Sequence, residues 1–205
     1  MPNANVSGRK VGERFGYSIA IGKLDSDAYE DIAIGAPYNG ISGNNGKVYL
    51  YLAAASGIST NQVPSAEVLN QSTGEQFGTA VLIGPFLGSN EYNLAVGAPY
   101  AAAGGTNRGS VYIFNAPLSS STPTKTQSGD FDNDYFGSAL AGGKFANDDF
   151  YRIAVGNPKW AANGAMGRVV IMSFIPEFSD AAIAVLITLG FVLVLGRRRK
   201  KAGPK

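Results

Sequence analysis

FGYSIAIGKLDSDAYEDIAIGAP, residues 15–37, opens on Phe-Gly, closes on Gly-Ala-Pro and carries a short acidic cluster between them. This frame recurs. Phe15-Gly16 returns as Phe77-Gly78 and Phe136-Gly137, and Gly35-Ala36-Pro37 returns as Gly97-Ala98-Pro99 and Gly156-Asn157-Pro158. The two landmarks stand 20 residues apart each time (35 − 15, 97 − 77, 156 − 136). A third landmark follows in each unit: GKVYLYL from Gly46, GSVYIF from Gly109 and GRVVIM from Gly167. Three landmarks in fixed order, three times, mark an internal repeat of about 60 residues.

Each unit reads as a small antiparallel sheet. FGYSIAI, FGTAVLI and FGSALA are short alternating runs. DIAIGAP, NLAVGAP and RIAVGNP form a second strand, closed by a proline that cannot continue a ladder. VYLYL, VYIF and VVIM form a third, rich in β-branched and aromatic residues. A weaker fourth strand is expected before the next Phe-Gly, as in AEVLNQ from Ala66. Four strands are the content of one propeller blade. The expected fold is therefore all-β: three four-stranded propeller blades, about 15–76, 77–135 and 136–174, with 1–14 as a fourth-strand remnant. The last blade stops after its third strand near Phe174, and the N-terminal segment is a candidate to supply the missing one, within one chain or between chains.

These motifs resemble FG-GAP repeats, the blades of the integrin α-subunit β-propeller and of many microbial surface proteins. The resemblance runs from about Val6 to Phe174 and is degraded in the third unit, where Asn157 replaces Ala and Val170 replaces Tyr. It implies a partial or oligomer-completed propeller, since integrin-like propellers are seven-bladed. The chain start is read as shortened, because three blades alone would leave sheet edges exposed.

The resemblance also implies a calcium loop between the first two strands of a blade, with alternating oxygen ligands. In the first unit the matching places hold Lys23, Asp25, Asp27, the Tyr29 carbonyl and Asp31. A lysine at the first ligand place adds charge where the cation should sit. The reading preferred here makes the Lys23 ammonium a tethered cation among the three aspartates, with calcium a weaker alternative in the first blade only. The other loops carry Pro85, Leu87, Ser89 and Asn93, or Lys144, Asp148 and Arg152. A second acidic run, Asp130, Asp132 and Asp134, lacks the glycine and closing acid of a calcium loop. Asp134 aligns with Glu13 and Glu75, two residues before Phe-Gly, and all three are expected to be exposed.

The chain has no histidine and no cysteine, which removes Ser-His-Asp triads, thiolate nucleophiles and ordinary zinc sites. Net charge is +2, but six basic residues crowd the C-terminus, leaving +2 − 6 = −4 elsewhere and no reason to expect a nucleic-acid partner. The opening residues lack the apolar core of a signal peptide. Residues 175–205 change character. Pro176-Glu177-Phe178 precedes an apolar helix, about 180–196, and the basic tail 197–205. The uncharged 16 residues from Ala181 to Gly196 would reach about 24 Å as a helix, slightly short of a bilayer core. The basic tail should stay cytoplasmic and the repeats outside. This arrangement resembles the PEF-type signal read by archaeosortases, which implies an archaeal cell-surface protein and tail removal by such a sorting enzyme. Asn5 and Asn70 begin glycosylation sequons, and SSSTPTKTQS from Ser119 reads as a flexible stretch suited to O-linked sugar.

The expected function is adhesion or envelope structure, without catalysis. Tyr38, Tyr100, Arg108 and Trp160, on the loops after each Gly-X-Pro, are the candidate anchors for a protein or glycan ligand. The alternative is a hydrolase acting on envelope polysaccharide through carboxylates.

Overall fold

A computed structural model describes residues 4–38, 45–69, 72–87, 92–118, 121–145, 150–159 and 166–174. The chain divides into two compact units, Met1–Phe174 and Ile175–Lys205, and the second lies wholly outside the described residues. The expected membrane helix and the sorting motif Pro176-Glu177-Phe178 fall in that second unit, and Trp160 and Asn70 of the first unit also lie outside the described residues. Among the described residues no helix is long and apolar enough to cross a membrane.

The first unit is all-β. Its first sheet runs in the order β1 (Ser18–Gly22), β2 (Asp31–Ala36), β3 (Lys47–Tyr51) and β4 (Ala66–Leu69). The second repeats it with β5 (Ala80–Gly84), β6 (Asn93–Ala98), β7 (Ser110–Asn115) and β8 (Lys125–Ser128). The third has three strands, β9 (Ala139–Gly143), β10 (Arg152–Asn157) and β11 (Arg168–Met172). All neighbours are antiparallel, and Phe-Gly precedes the first strand of every sheet. These are propeller-like blades, as the repeat predicts.

Part of the stretch expected to be flexible is a strand. The polar stretch from Ser119 ends in a strand: Lys125–Ser128 pairs with β7, register Ser110↔Ser128. An outer strand needs no apolar side chains: the main-chain ladder holds KTQS in place, with Ser128 Oγ also 2.9 Å from Ser110 Oγ of β7.

The cores lie between the sheets. One contains Ala33, Val48, Leu50 and Val68 of the first blade against Phe77, Val81, Ile83, Leu94 and Phe114 of the second. The next joins Ala95, Val111 and Ile113 to Phe136, Ile153, Val155 and Met172. Phe77 and Phe136 are thus the wedges between blades, each almost fully buried.

Glycine explains how closely the blades approach. Gly78 N donates to Gly97 O of its own blade, and a Cβ on Gly35 of the preceding blade would overlap Gly78 O. The next interface is the same: Gly137 N donates to Gly156 O, and a Cβ on Gly97 would overlap Gly137 O. Gly46 pairs with Phe77, and Gly109 with Phe136, in parallel bridges between blades. The Phe-Gly main chain is therefore a plug. The glycines of Gly-X-Pro and Gly-X-Val line its socket, where any side chain would collide with backbone.

The carboxylates before Phe-Gly are buried, against the expectation that they are exposed. Glu13, Glu75 and Asp134 are 1%, 8% and 0% exposed. Tyr49 OH donates to Glu13 Oε2 at 2.7 Å, and Tyr112 OH to Glu75 Oε2 at 2.8 Å. Burial, reinforced by these carboxylates, raises both phenol pKa values above the ordinary tyrosine value. The tyrosine of Gly-X-Val-Tyr is thus the partner of the acid before Phe-Gly. The third blade loses that tyrosine, and its acid is shorter. Asn157, which replaces the alanine of Gly-Ala-Pro, donates instead to Asp134 Oδ2 at 3.4 Å.

The same exchange leaves space. Tyr49 and Tyr112 lie with ring centroids 5.3 and 5.7 Å from Phe15 and Phe77. At Val170 there is no ring, and a cavity of about 330 Å³ opens between Phe136, Val170, Met172, Phe174 and Ser128. Val170→Tyr should fill part of it and raise stability by about 1 kcal/mol, as cavity-filling changes commonly do. Thermal unfolding followed by circular dichroism checks this, with an unchanged or lower Tm as the adverse result.

Candidate functional site

In every blade the chain before Phe-Gly and the chain after Gly-X-Pro meet at one end of the sheet. Tyr38 N donates to Glu13 O at 3.2 Å, and Tyr100 N to Glu75 O at 3.3 Å. The residue between the acid and phenylalanine has a left-handed backbone in all three units: Arg14 (φ 56°), Gln76 (φ 53°) and Tyr135 (φ 57°). Glycine would suit that conformation better, and the side chains present there cost about 1–2 kcal/mol each. The turn is held locally, by Tyr17 N to Arg14 O at 3.1 Å, Thr79 N to Gln76 O at 3.2 Å and Ser138 Oγ to Tyr135 O at 2.6 Å. The same left-handed residue thus recurs at one place in all three blades.

These positions build a row of rings and cations along the loop ends. The Arg14 guanidinium lies 3.9 Å over the Tyr38 ring. Tyr100 packs edge-on against Tyr135 of the next blade, centroids 5.1 Å apart, and Lys159 sits 4.6 Å over Tyr135. Tyr100 remains 40% exposed. Two anchors expected from the sequence, Tyr38 and Tyr100, thus belong to the row. Arg108 sits beside it, with Nε 2.8 Å from Asp132 Oδ1 in a pair that holds the exposed Asp132 below the usual carboxylate range. Arg14, Tyr135 and Lys159 were missed. Their signal was present, because they occupy matching places beside Phe-Gly and Gly-X-Pro.

The β1–β2 loop lies at the opposite end of the blade. Asp31 is fully buried, and its two oxygens accept from Leu24 N at 2.6 Å and Ala53 N at 2.9 Å. Burial raises its pKa despite those two bonds, helped by Asp25 and Asp27 nearby. Asn93, its counterpart in the second blade, accepts from Phe86 N and Leu87 N without any charge. The ninth loop place is therefore a tie between loop and strand. Asp25 accepts from Asp27 N at 2.9 Å, Asp27 from Tyr29 N at 2.8 Å, and Lys23 Nζ reaches the Asp27 carbonyl at 3.3 Å. Among the described residues no three acids, histidines or cysteines are placed to hold a metal ion. With Lys23 at the first place and both Asp31 oxygens engaged, this loop does not fit calcium. Lys23, Asp25, Ser26 and Asp27 instead line a cleft of about 370 Å³ with Tyr92, Ala116 and Pro117.

Elsewhere, Asp130 pairs with Arg168 at 2.7 Å, so the Asp130, Asp132 and Asp134 run is divided among three partners. Asn5 is exposed, and its carbonyl accepts from Asn61 N at 2.7 Å.

Residues 15–51 match the FG-GAP repeat. That stretch spans plug, acidic loop, socket and third strand of the first blade, and the second and third sheets repeat its strand order. The chain is 29% identical over 174 residues to the phosphatidylinositol-glycan-specific phospholipase D of Rattus norvegicus, covering 80% of this chain and 20% of that protein. It is 33% identical over 118 residues to integrin alpha-PS2 of Drosophila melanogaster, covering 54% of this chain and 8% of the integrin. Integrin alpha ina-1 of Caenorhabditis elegans is 35% identical over 123 residues, covering 53% and 10%. The chain thus spans a fifth or less of these relatives, and the FG-GAP blades are what it shares with both kinds.

Proposed function

We propose that this chain is a cell-surface adhesion module whose FG-GAP blades form part of a β-propeller and bind a ligand through the loop face. The row of Arg14, Tyr38, Tyr100, Tyr135 and Lys159 carries this reading. The exposed Tyr100 ring and the half-buried Tyr38 and Tyr135 rings offer flat apolar area to sugar or peptide, and the cations beside them favour an acidic partner. The left-handed backbones of two of its members, Arg14 and Tyr135, support it further. In the same proposal the apolar segment 180–196 anchors the chain with the repeats outside, and the Pro176-Glu177-Phe178 signal directs an archaeosortase-type enzyme to the tail.

The test is direct binding. The chain should be retained on immobilised hyaluronan, a carboxylated polysaccharide, more strongly than on neutral dextran. Arg14→Ala with Tyr100→Ala should weaken that retention about tenfold or more, as loss of anchors of this kind does. Equal retention on both polymers, or no effect of the double substitution, would overturn the acidic-ligand reading. The chain is proposed to be no hydrolase, since each acid of the 130–134 run is held by a partner. Glycan turnover abolished by changing Asp130, Asp132 and Asp134 together would reverse that.

A further inference from the structure

In the first two blades one phenol makes two contacts at once. The Tyr49 and Tyr112 rings pack on Phe15 and Phe77, with centroids 5.3 and 5.7 Å apart, and their hydroxyls donate to Glu13 and Glu75. The third blade keeps the phenylalanine and an acid, Phe136 and Asp134, but has Val170 where the ring would stand. Both parts of the phenol's surroundings remain. The apolar part is the cavity of about 330 Å³ at the joint between the second and third blades. Phe136, Val170, Met172 and Phe174 line it from the third blade, and Gln127 and Ser128 from the second. Its volume falls among those of small-molecule sites, roughly 300–1,000 Å³. Arg168 and Asp130 also line it, paired at 2.7 Å with side chains 29% and 59% exposed, so solvent reaches the cavity on that side.

The polar part is Asp134, which is fully buried. Its Oδ2 accepts from Phe131 N at 3.0 Å and from Asn157 Nδ2 at 3.4 Å. Its Oδ1 has no hydrogen-bond partner, and neither has Oδ1 of the equally buried Asn157. Buried acceptors left without a donor cost free energy that an arriving hydroxyl recovers. The aspartate is one methylene shorter than Glu13 or Glu75, and a free ring can follow its oxygen more easily than a ring tethered to the main chain.

We propose that this cavity binds a phenol. A single aromatic ring lies on Phe136, its hydroxyl donates to Asp134 Oδ1, and its para substituent lies on the Val170 side, where a tyrosine would join the main chain. The site is set by a residue exchange at an internal joint, and it is independent of the loop-face ligand.

The test uses the whole chain in mild detergent, so that the apolar tail is solvated. The chain has three methionines, Met1, Met166 and Met172. With their methyl groups isotopically labelled, Met172 reports on the cavity and Met166, 82% exposed, is the reference. Adding p-cresol should shift the Met172 methyl resonance saturably and leave Met166 in place. Toluene, which has the ring without the hydroxyl, should bind at least about tenfold more weakly at equal free concentration. Val170→Tyr, whose own ring takes the space, should abolish the Met172 response while retention on hyaluronan stays unchanged. N-acetyl-tyrosinamide distinguishes the two sources of a phenol: binding as tight as that of p-cresol assigns the site to a tyrosine of a peptide, and weaker binding to a free phenol. No saturable shift up to about 10 mM p-cresol would overturn the proposal. So would toluene binding as tightly as p-cresol, or binding that survives Val170→Tyr. Loss of hyaluronan retention alone would instead overturn only the loop-face function.

Discussion

Gly97→Ala is expected to lower the unfolding free energy by about 3 kcal/mol or more, while Gly156→Ala, the same substitution one blade on, is expected to be nearly neutral. The added methyl at Gly97 would overlap the main-chain oxygen of Gly137, held at an interface between two β-sheets. Backbone at that place cannot step aside as a flexible side chain would, so overpacking must separate the blades. At Gly156 the methyl would meet only the Ala139 Cβ at 3.2 Å, which asks for a shift of a few tenths of an ångström. Propensity changes in the same direction at both positions and cancels in the comparison. Urea unfolding of the two variants against the parent reads the difference. Equal losses at both glycines would mean that the plug-and-socket description is wrong.

Asp31→Ala should cost a similar amount, about 3 kcal/mol, by stranding two buried amides, Leu24 N and Ala53 N. Each buried donor left unsatisfied costs roughly 1–3 kcal/mol. Asp31→Asn should recover only part of that loss, since its single amide oxygen can accept from one of the two donors; Asn93 takes both of its loop amides on Oδ1 and donates through Nδ2 to Asn115 Oδ1. The pH dependence follows from the raised pKa of Asp31. A folded-state pKa above the unfolded value favours the protonated form on folding. That contribution is complete below the ordinary carboxylate pKa and is lost as pH rises through the raised one. Asp31→Asn should therefore flatten the stability profile just above the ordinary carboxylate range. A variant as pH-dependent there as the parent would show that Asp31 is not the group responsible.

The strand plan was legible because hydrophobic alternation and recurring Phe-Gly, Gly-X-Pro and Gly-X-Val landmarks report local geometry directly. Glu13, Glu75 and Asp134 were misjudged because burial of a carboxylate depends on a partner far away in sequence. Tyr49 lies 36 residues from Glu13, and only the closed sheet brings the two together. A covariation within the chain held the clue, since the third blade changes acid, tyrosine and alanine at once. The strand Lys125–Ser128 was hidden for a different reason: an edge strand held by its ladder leaves no apolar pattern. Of the loop-end row, Tyr38 and Tyr100 stood out as large side chains on loops, whereas Arg14, Tyr135 and Lys159 needed the meeting of two loops.

Ligand binding at the loop face is the proposed function. Its most direct test is to titrate isotopically labelled chain with a hyaluronan oligosaccharide and follow amide and aromatic resonances. Shifts are predicted at Arg14, Tyr38, Tyr100, Tyr135 and Lys159, with the opposite end of the blades silent. Shifts centred on Lys23, Asp25, Asp27 and Tyr92 would place the ligand in the cleft at the other end and contradict the claim.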